Sequence, residues 1–152
     1  MRRITSLQLI SLLITSICWS ASVPDTRAIP DGMQSYNDFE KKITRYPYIA
    51  SKERSDKIVA GLKKVEVCMN KKQIMQLLGP PDYSQINYGP KGPGEKWLGS
   101  SWMYFLSKES ELVNRNDPSV SVSFDTKDRA QWIAPSNVEG AYEIGTPGKE
   151  CL

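Results

Sequence analysis

The sequence predicts an α+β domain, with two to three N-terminal helices packed on one face of a three-stranded antiparallel meander sheet. Three observations lead there. Apolar residues recur at helical spacing from 35 to 78, the period changes to two after Lys96, and Gly79-Pro80-Pro81 stands before the change.

The chain opens on a targeting pattern. Arg2 and Arg3 precede an uncharged run at 4–17, and Ser20-Ala21-Ser22 supplies small residues for cleavage before Val23. That run is shorter than the about 20 residues a membrane-spanning helix needs. Residues 1–22 are therefore expected to be a signal peptide. Lipidation at Cys18 is the less favoured alternative, because the bulky Ile17 precedes it where lipoprotein signals place a small residue. Residues 23–34, with Pro24, Pro30 and Gly32, form a flexible leader. A single α+β domain follows at 35–135, with a C-terminal tail at 136–152.

The first helix begins at Ser35, with Asp38 in its first turn. Tyr36, Phe39 and Ile43 share a face, and Pro47 stops the helix near Tyr46. The second runs over about 52–64 with Ile58, Val59, Leu62 and Val65 as its stripe. Gly61 weakens it by up to about 1 kcal/mol relative to Ala. The third, 70–78, is the most explicit. Asn70 caps it, Gln73 completes a capping box, and Ile74, Leu77 and Leu78 lie on one face. Gly79 closes it and the two prolines prevent its continuation. A helix this short is marginal alone, so its apolar face must dock. Val120, Val122 and Phe124 are the expected surface.

Residues 83–94 read as a Gly-Pro-rich loop. The first strand lies within 96–107, where alternation puts Trp102, Tyr104 and Leu106 on one side. Residues 108–118 form a polar loop. Ser119–Phe124 gives the cleanest strand pattern, with three apolar residues on one side and three serines on the other, as in a sheet with one covered and one wet face. A turn at 125–128 leads to the third strand at 130–134, which Pro135 ends. The tail from Ser136 is loose unless Cys151 ties it down.

Composition excludes several functions. The hydrophobic share of 39% and charged share of 24% are those of a globular chain. Removing Arg2 and Arg3 from the 20 Lys and Arg leaves 18 against 17 Asp and Glu, a mature charge of +1. That is no footprint of a nucleic-acid binder and no polybasic membrane anchor. Membrane association is expected only through a partner, or through lipidation at Cys18. With no histidine, the commonest neutral-pH base and metal ligand is missing. Gly89 to Lys96 brushes a phosphate loop, but Glu95 stands where the Lys belongs and two prolines remove amide donors. Glu109 with Glu111, and Asp125 with Asp128, read as solvated loop and turn pairs. No enzyme, cofactor or metal is expected.

Cys68 and Cys151 remain after signal removal. An even pair in an exported chain is more often bridged than free, and an intramolecular bond is expected, with free thiols or pairing between chains as alternatives. The aromatic set Trp97, Trp102, Tyr104, Phe105 and Trp132 is the candidate interaction surface, against a simpler reading as core. Alternation separates Trp102 and Tyr104 from Phe105, so the set cannot all face the helices.

Met69-Asn70-Lys71-Lys72-Gln73-Ile74, Leu77 to Asp82, Trp102-x-Tyr104 and Phe124-Asp125 together resemble the SmpA/OmlA (BamE-like) family of small envelope proteins. The resemblance covers roughly 65–133. Cys68 stands where that family usually has Gly, Asp128 stands near a usual turn Gly, and the helical lead from Ser35 is longer. The resemblance implies a BamE-like fold, similar to the halves of a β-lactamase inhibitor protein. It implies a periplasmic or outer-membrane-associated accessory that binds another envelope protein in outer-membrane assembly or envelope integrity. The alternative expectation is a periplasmic or secreted inhibitor or immunity-type protein capping a partner's active site through 108–118 or 83–96.

Overall fold

The computed structural model describes residues 34–89, 96–112, 114–149 and 151. The expected signal peptide with Cys18, the leader up to residue 33 and the Gly-Pro stretch 90–95 lie outside these residues. Each helix begins on a side-chain cap. In α1 (Tyr36–Glu40) Ser35 and Asp38 form a reciprocal capping box. Ser51 caps α2 (Lys52–Leu62) by accepting from the Arg54 amide. In α3 (Lys71–Leu78) Asn70 accepts from the Gln73 amide at 3.0 Å and Gln73 accepts from the Asn70 amide at 2.9 Å.

The strands are β1 (Tyr48–Ile49), β2 (Tyr83–Tyr88), β3 (Trp97–Phe105), β4 (Ser107–Lys108), β5 (Ser119–Phe124), β6 (Ala130–Ser136) and β7 (Ile144–Gly145). β1 and β4 form a two-stranded ribbon, and the others form a five-stranded sheet in the order β2-β3-β5-β6-β7. Every pairing is antiparallel.

This overturns the expected two to three helices on a three-stranded meander. The fold is rich in sheet, its helices are short, and two more strands flank the central three. β2 lies in the stretch read as a loop. Its Tyr, Ile and Tyr are good strand formers, and β3 supplies its ladder; the Gly-Pro punctuation begins only after Tyr88. β7 lies in the stretch read as tail, and two residue pairs hold it to β6. α1 is five residues long rather than running to Tyr46.

One sheet face is closed. Ile58 and Leu62 of α2, with Ile74 and Leu78 of α3, pack into one core with Trp102, Tyr104, Val120, Val122, Phe124 and Ile133. The two helices approach closely at Gly61, where a Cβ would stand 2.5 Å from the Leu77 carbonyl oxygen. Part of the other face is covered by a second cluster, in which Phe39 stacks on Phe105 at 5.5 Å between centroids and Tyr36 meets Tyr83 edge-on at 5.2 Å.

The exit from α3 is clamped. Asp82 accepts from the Phe105 amide at 2.6 Å and pairs with Arg54 at 2.9 Å. Arg54 also donates to the Pro80 carbonyl at 2.9 Å, and the Tyr104 hydroxyl to the Gly79 carbonyl at 3.3 Å. Burial pushes the Asp82 carboxyl up from its ordinary value, against the pull of Arg54 and the Phe105 amide.

Candidate functional site

The aromatic residues picked from the sequence separate. Trp102, only 1% exposed, and Tyr104 are core beneath the helices, and Phe105 is buried in the second cluster. These three build no interaction surface: β3 is covered on one side by α2 and α3 and at its far end, on the other side, by α1. The Trp97 side chain lies outside the described residues. Of the four whose side chains are described, only Trp132 is not buried: it is partly exposed on the face away from α2 and α3, its Nε1 donating to Glu143 at 3.4 Å. Trp132 opposes Ser123, and their side chains share the face opposite to Val122 and Ile133.

Cys68 and Cys151 form a disulfide. Cys68 has φ +67, the left-handed region that favours glycine. The Cys68 amide donates to the Ala130 carbonyl, the Ala130 amide to the Met69 carbonyl, and Arg129 to the Cys151 carbonyl. The end of the chain is thereby fixed against both α3 and β6.

Three surface features remain. A cleft of about 480 Å³ lies between the end of α2 and the loop before β7. Val59, Leu62, Val65, Ala141 and Ile144 line it, Lys63 and Glu139 add opposite charges, and Tyr142 beside it is 78% exposed. The second is the loop after β4, braced from within. Lys108, 0% exposed, pairs with Glu40 at 3.0 Å and donates to the carbonyls of Ser110 and Glu111. Asp117 accepts from the amides of Glu109 at 3.1 Å and Asn114 at 3.2 Å. This bracing presents Leu112, which is 80% exposed. Burial raises the Glu40 carboxyl, but hydrogen bonds from Tyr46, Tyr36 and Lys108 and the Lys108 charge hold it below its ordinary value.

The third feature is a furrow of about 400 Å³ on the open sheet face. Its floor is a chain of hydrogen bonds across three strands: Asn87 Nδ2 donates to Ser101 at 2.8 Å, and the Ser101 and Ser123 hydroxyls lie 3.1 Å apart. Asp125 at its end is buried. Burial raises its carboxyl, yet the Arg129 and Lys127 amides and the Arg129 charge together bring it below the ordinary value. Sequence reasoning saw the serine face of β5 but not the furrow, because Gln85 and Asn87 lay in an assigned loop.

Among the described residues no three His, Cys, Asp or Glu side chains gather to hold a metal, and no helix is long and apolar enough to cross a membrane. Comparison with protein-family models, curated proteins and solved structures found no match.

Proposed function

We propose that the mature chain is an exported, non-catalytic accessory protein of the cell envelope that acts by binding another protein. The observation that carries the reading is the cleft beside Tyr142. It has an apolar floor, a charged rim and one aromatic side chain standing free, which is the anatomy of a pocket that takes a partner's apolar anchor. The setting, outer-membrane protein assembly or envelope integrity, rests on the resemblance of the segment 69–82 to SmpA/OmlA proteins. Localisation to the periplasm or outer membrane rests on the signal-peptide pattern at 1–22.

The braced loop carrying Leu112 favours a second reading, an inhibitor that inserts an apolar residue into a partner's cleft. A pull-down of the mature protein from envelope extracts separates the two. Recovery of barrel-assembly components, lost on Tyr142→Glu and kept on Leu112→Ser, supports the accessory role. Recovery of one soluble hydrolase or toxin, lost on Leu112→Ser and kept on Tyr142→Glu, overturns it in favour of the inhibitor.

A further inference from the structure

Both bulges among the five paired strands border the same furrow. Between the pairs Asn87↔Gly99 and Tyr88↔Trp97, Leu98 is an extra residue of β3. Between Ser123↔Trp132 and Phe124↔Ala130, Gln131 is an extra residue of β6. Bulges re-aim side chains, and here they bring Leu98 and Gln131 to the rim and wall of the serine floor. Gly99 permits the first: its φ is +111, and a Cβ there would meet the Phe124 carbonyl oxygen at 2.0 Å. Gln131 is the telling residue. It is only 8% exposed as a whole residue and lines the furrow, and its side-chain amide reaches the open furrow rather than being sealed in the core.

We infer that the furrow between Gln85 and Trp132 is a binding site for a neutral oligosaccharide. The inference goes beyond the proposed protein-binding role and uses a different surface. Gln85, Ser101, Ser123 and Trp132 are successive register partners across four strands. At about 4.8 Å between strands the row is about 14 Å long. Its functional groups are amides, hydroxyls and one indole. Amides and hydroxyls both donate and accept, as sugar hydroxyls do, and the Trp132 ring offers an apolar face for a pyranose C–H face. An anion is a poor fit. Lys96 stands at the rim, but Asp125 lines the same furrow, and its oxygens are engaged by the Lys127 amide at 2.8 Å, the Arg129 amide at 2.9 Å and Arg129 Nε at 3.3 Å. An extended peptide is also a poor fit, because peptides add along a strand edge whereas this row crosses the strands.

The test is calorimetric titration of the mature protein with tri-N-acetylchitotriose, cellotriose and maltotriose, and with an uncharged Gly-Ser hexapeptide. At least one trisaccharide is expected to bind saturably. Binding weakens about tenfold or more, about 1.4 kcal/mol, in Trp132→Ala and in Gln131→Leu, which keeps the packing volume. Tyr142→Ala leaves it unchanged, which separates this site from the protein-binding cleft. Gln85→Leu, on the exposed rim, repeats the test where a core variant loses its fold. The inference is overturned if no trisaccharide binds at millimolar concentration, if only the hexapeptide binds, or if the folded furrow variants bind as the unaltered protein does.

Discussion

Replacing Gly61 with alanine sets helix propensity against packing. Inside a helix alanine is worth up to about 1 kcal/mol over glycine, and less at Gly61 in the last turn of α2, so local sequence alone predicts a modestly more stable protein. The packing of α2 on α3 reverses the sign. The new Cβ would stand 2.5 Å from the Leu77 carbonyl oxygen, 2.8 Å from Leu78 Cδ2 and 2.9 Å from the Leu77 carbonyl carbon. Two of these atoms are backbone, so no rotamer change relieves them. Restoring an ordinary contact of about 3.5 Å requires opening the α2–α3 gap by about 1 Å. Leu78 sits beneath, in the core with Ile74 and Phe124, so the opening also loosens that core. Overpacking of this kind costs about 1–3 kcal/mol, and a backbone clash belongs at the upper end. Subtracting the propensity gain leaves a net loss of about 2 kcal/mol. With a urea slope of about 2 kcal/mol/M, the unfolding midpoint of Gly61→Ala falls by about 1 M. Equilibrium urea unfolding followed by tryptophan fluorescence measures it. A midpoint equal to or above that of the unaltered protein would refute the helix–helix contact.

Three further outcomes are expected. Lys108→Met takes the cation from a Glu40 carboxylate that keeps its hydrogen bonds from Tyr46 and Tyr36, and should cost about 3 kcal/mol, the lower end for a broken buried pair, while the double variant with Glu40→Gln regains part of that loss; a double-mutant cycle in urea reads both. Asp125 has a carboxyl held below its ordinary 3.8, so its contribution is full above that pH and is lost as pH falls through the lower folded value. Asp125→Asn should therefore be less stable than the unaltered protein at pH 6, with the gap narrowing below pH 3.8 in pH-resolved unfolding curves. Removing the disulfide by Cys68→Ser with Cys151→Ser closes no loop across the 83-residue separation and should lower stability by about 2–4 kcal/mol in non-reducing urea titrations.

Local signals placed what is locally determined. Ser35, Ser51 and Asn70 start helices because a cap acts on amides within three residues of itself. The alternation in Ser119–Phe124 assigned its two faces because the strand period is fixed by backbone geometry. β2 was not legible because the Gly-Pro punctuation after Tyr88 overshadowed its strand formers, and β7 because two residues are too few to show a period; each pairs with its neighbour in sequence, β2 with β3 and β7 with β6, and Cys68 fixes the tail. Strand pairing hid the furrow. A bulge arises when two strands slip by one residue, and neither Leu98 nor Gln131 announces this alone. Reading aromatics as an interaction surface failed for Trp102, Tyr104 and Phe105 because β3 is a central strand covered in part on both sides.

The claim that this chain works by gripping a partner at the cleft beside Tyr142 is tested most directly by site-specific photo-crosslinking in intact cells. A photoreactive phenylalanine analogue replaces Tyr142 in one strain and the exposed Lys52, at the opposite end of α2, in another. The account predicts one discrete envelope-protein adduct from position 142, identified by mass spectrometry as an outer-membrane assembly component, and none from position 52. No discrete adduct from position 142, or the same adduct from both positions, would contradict it.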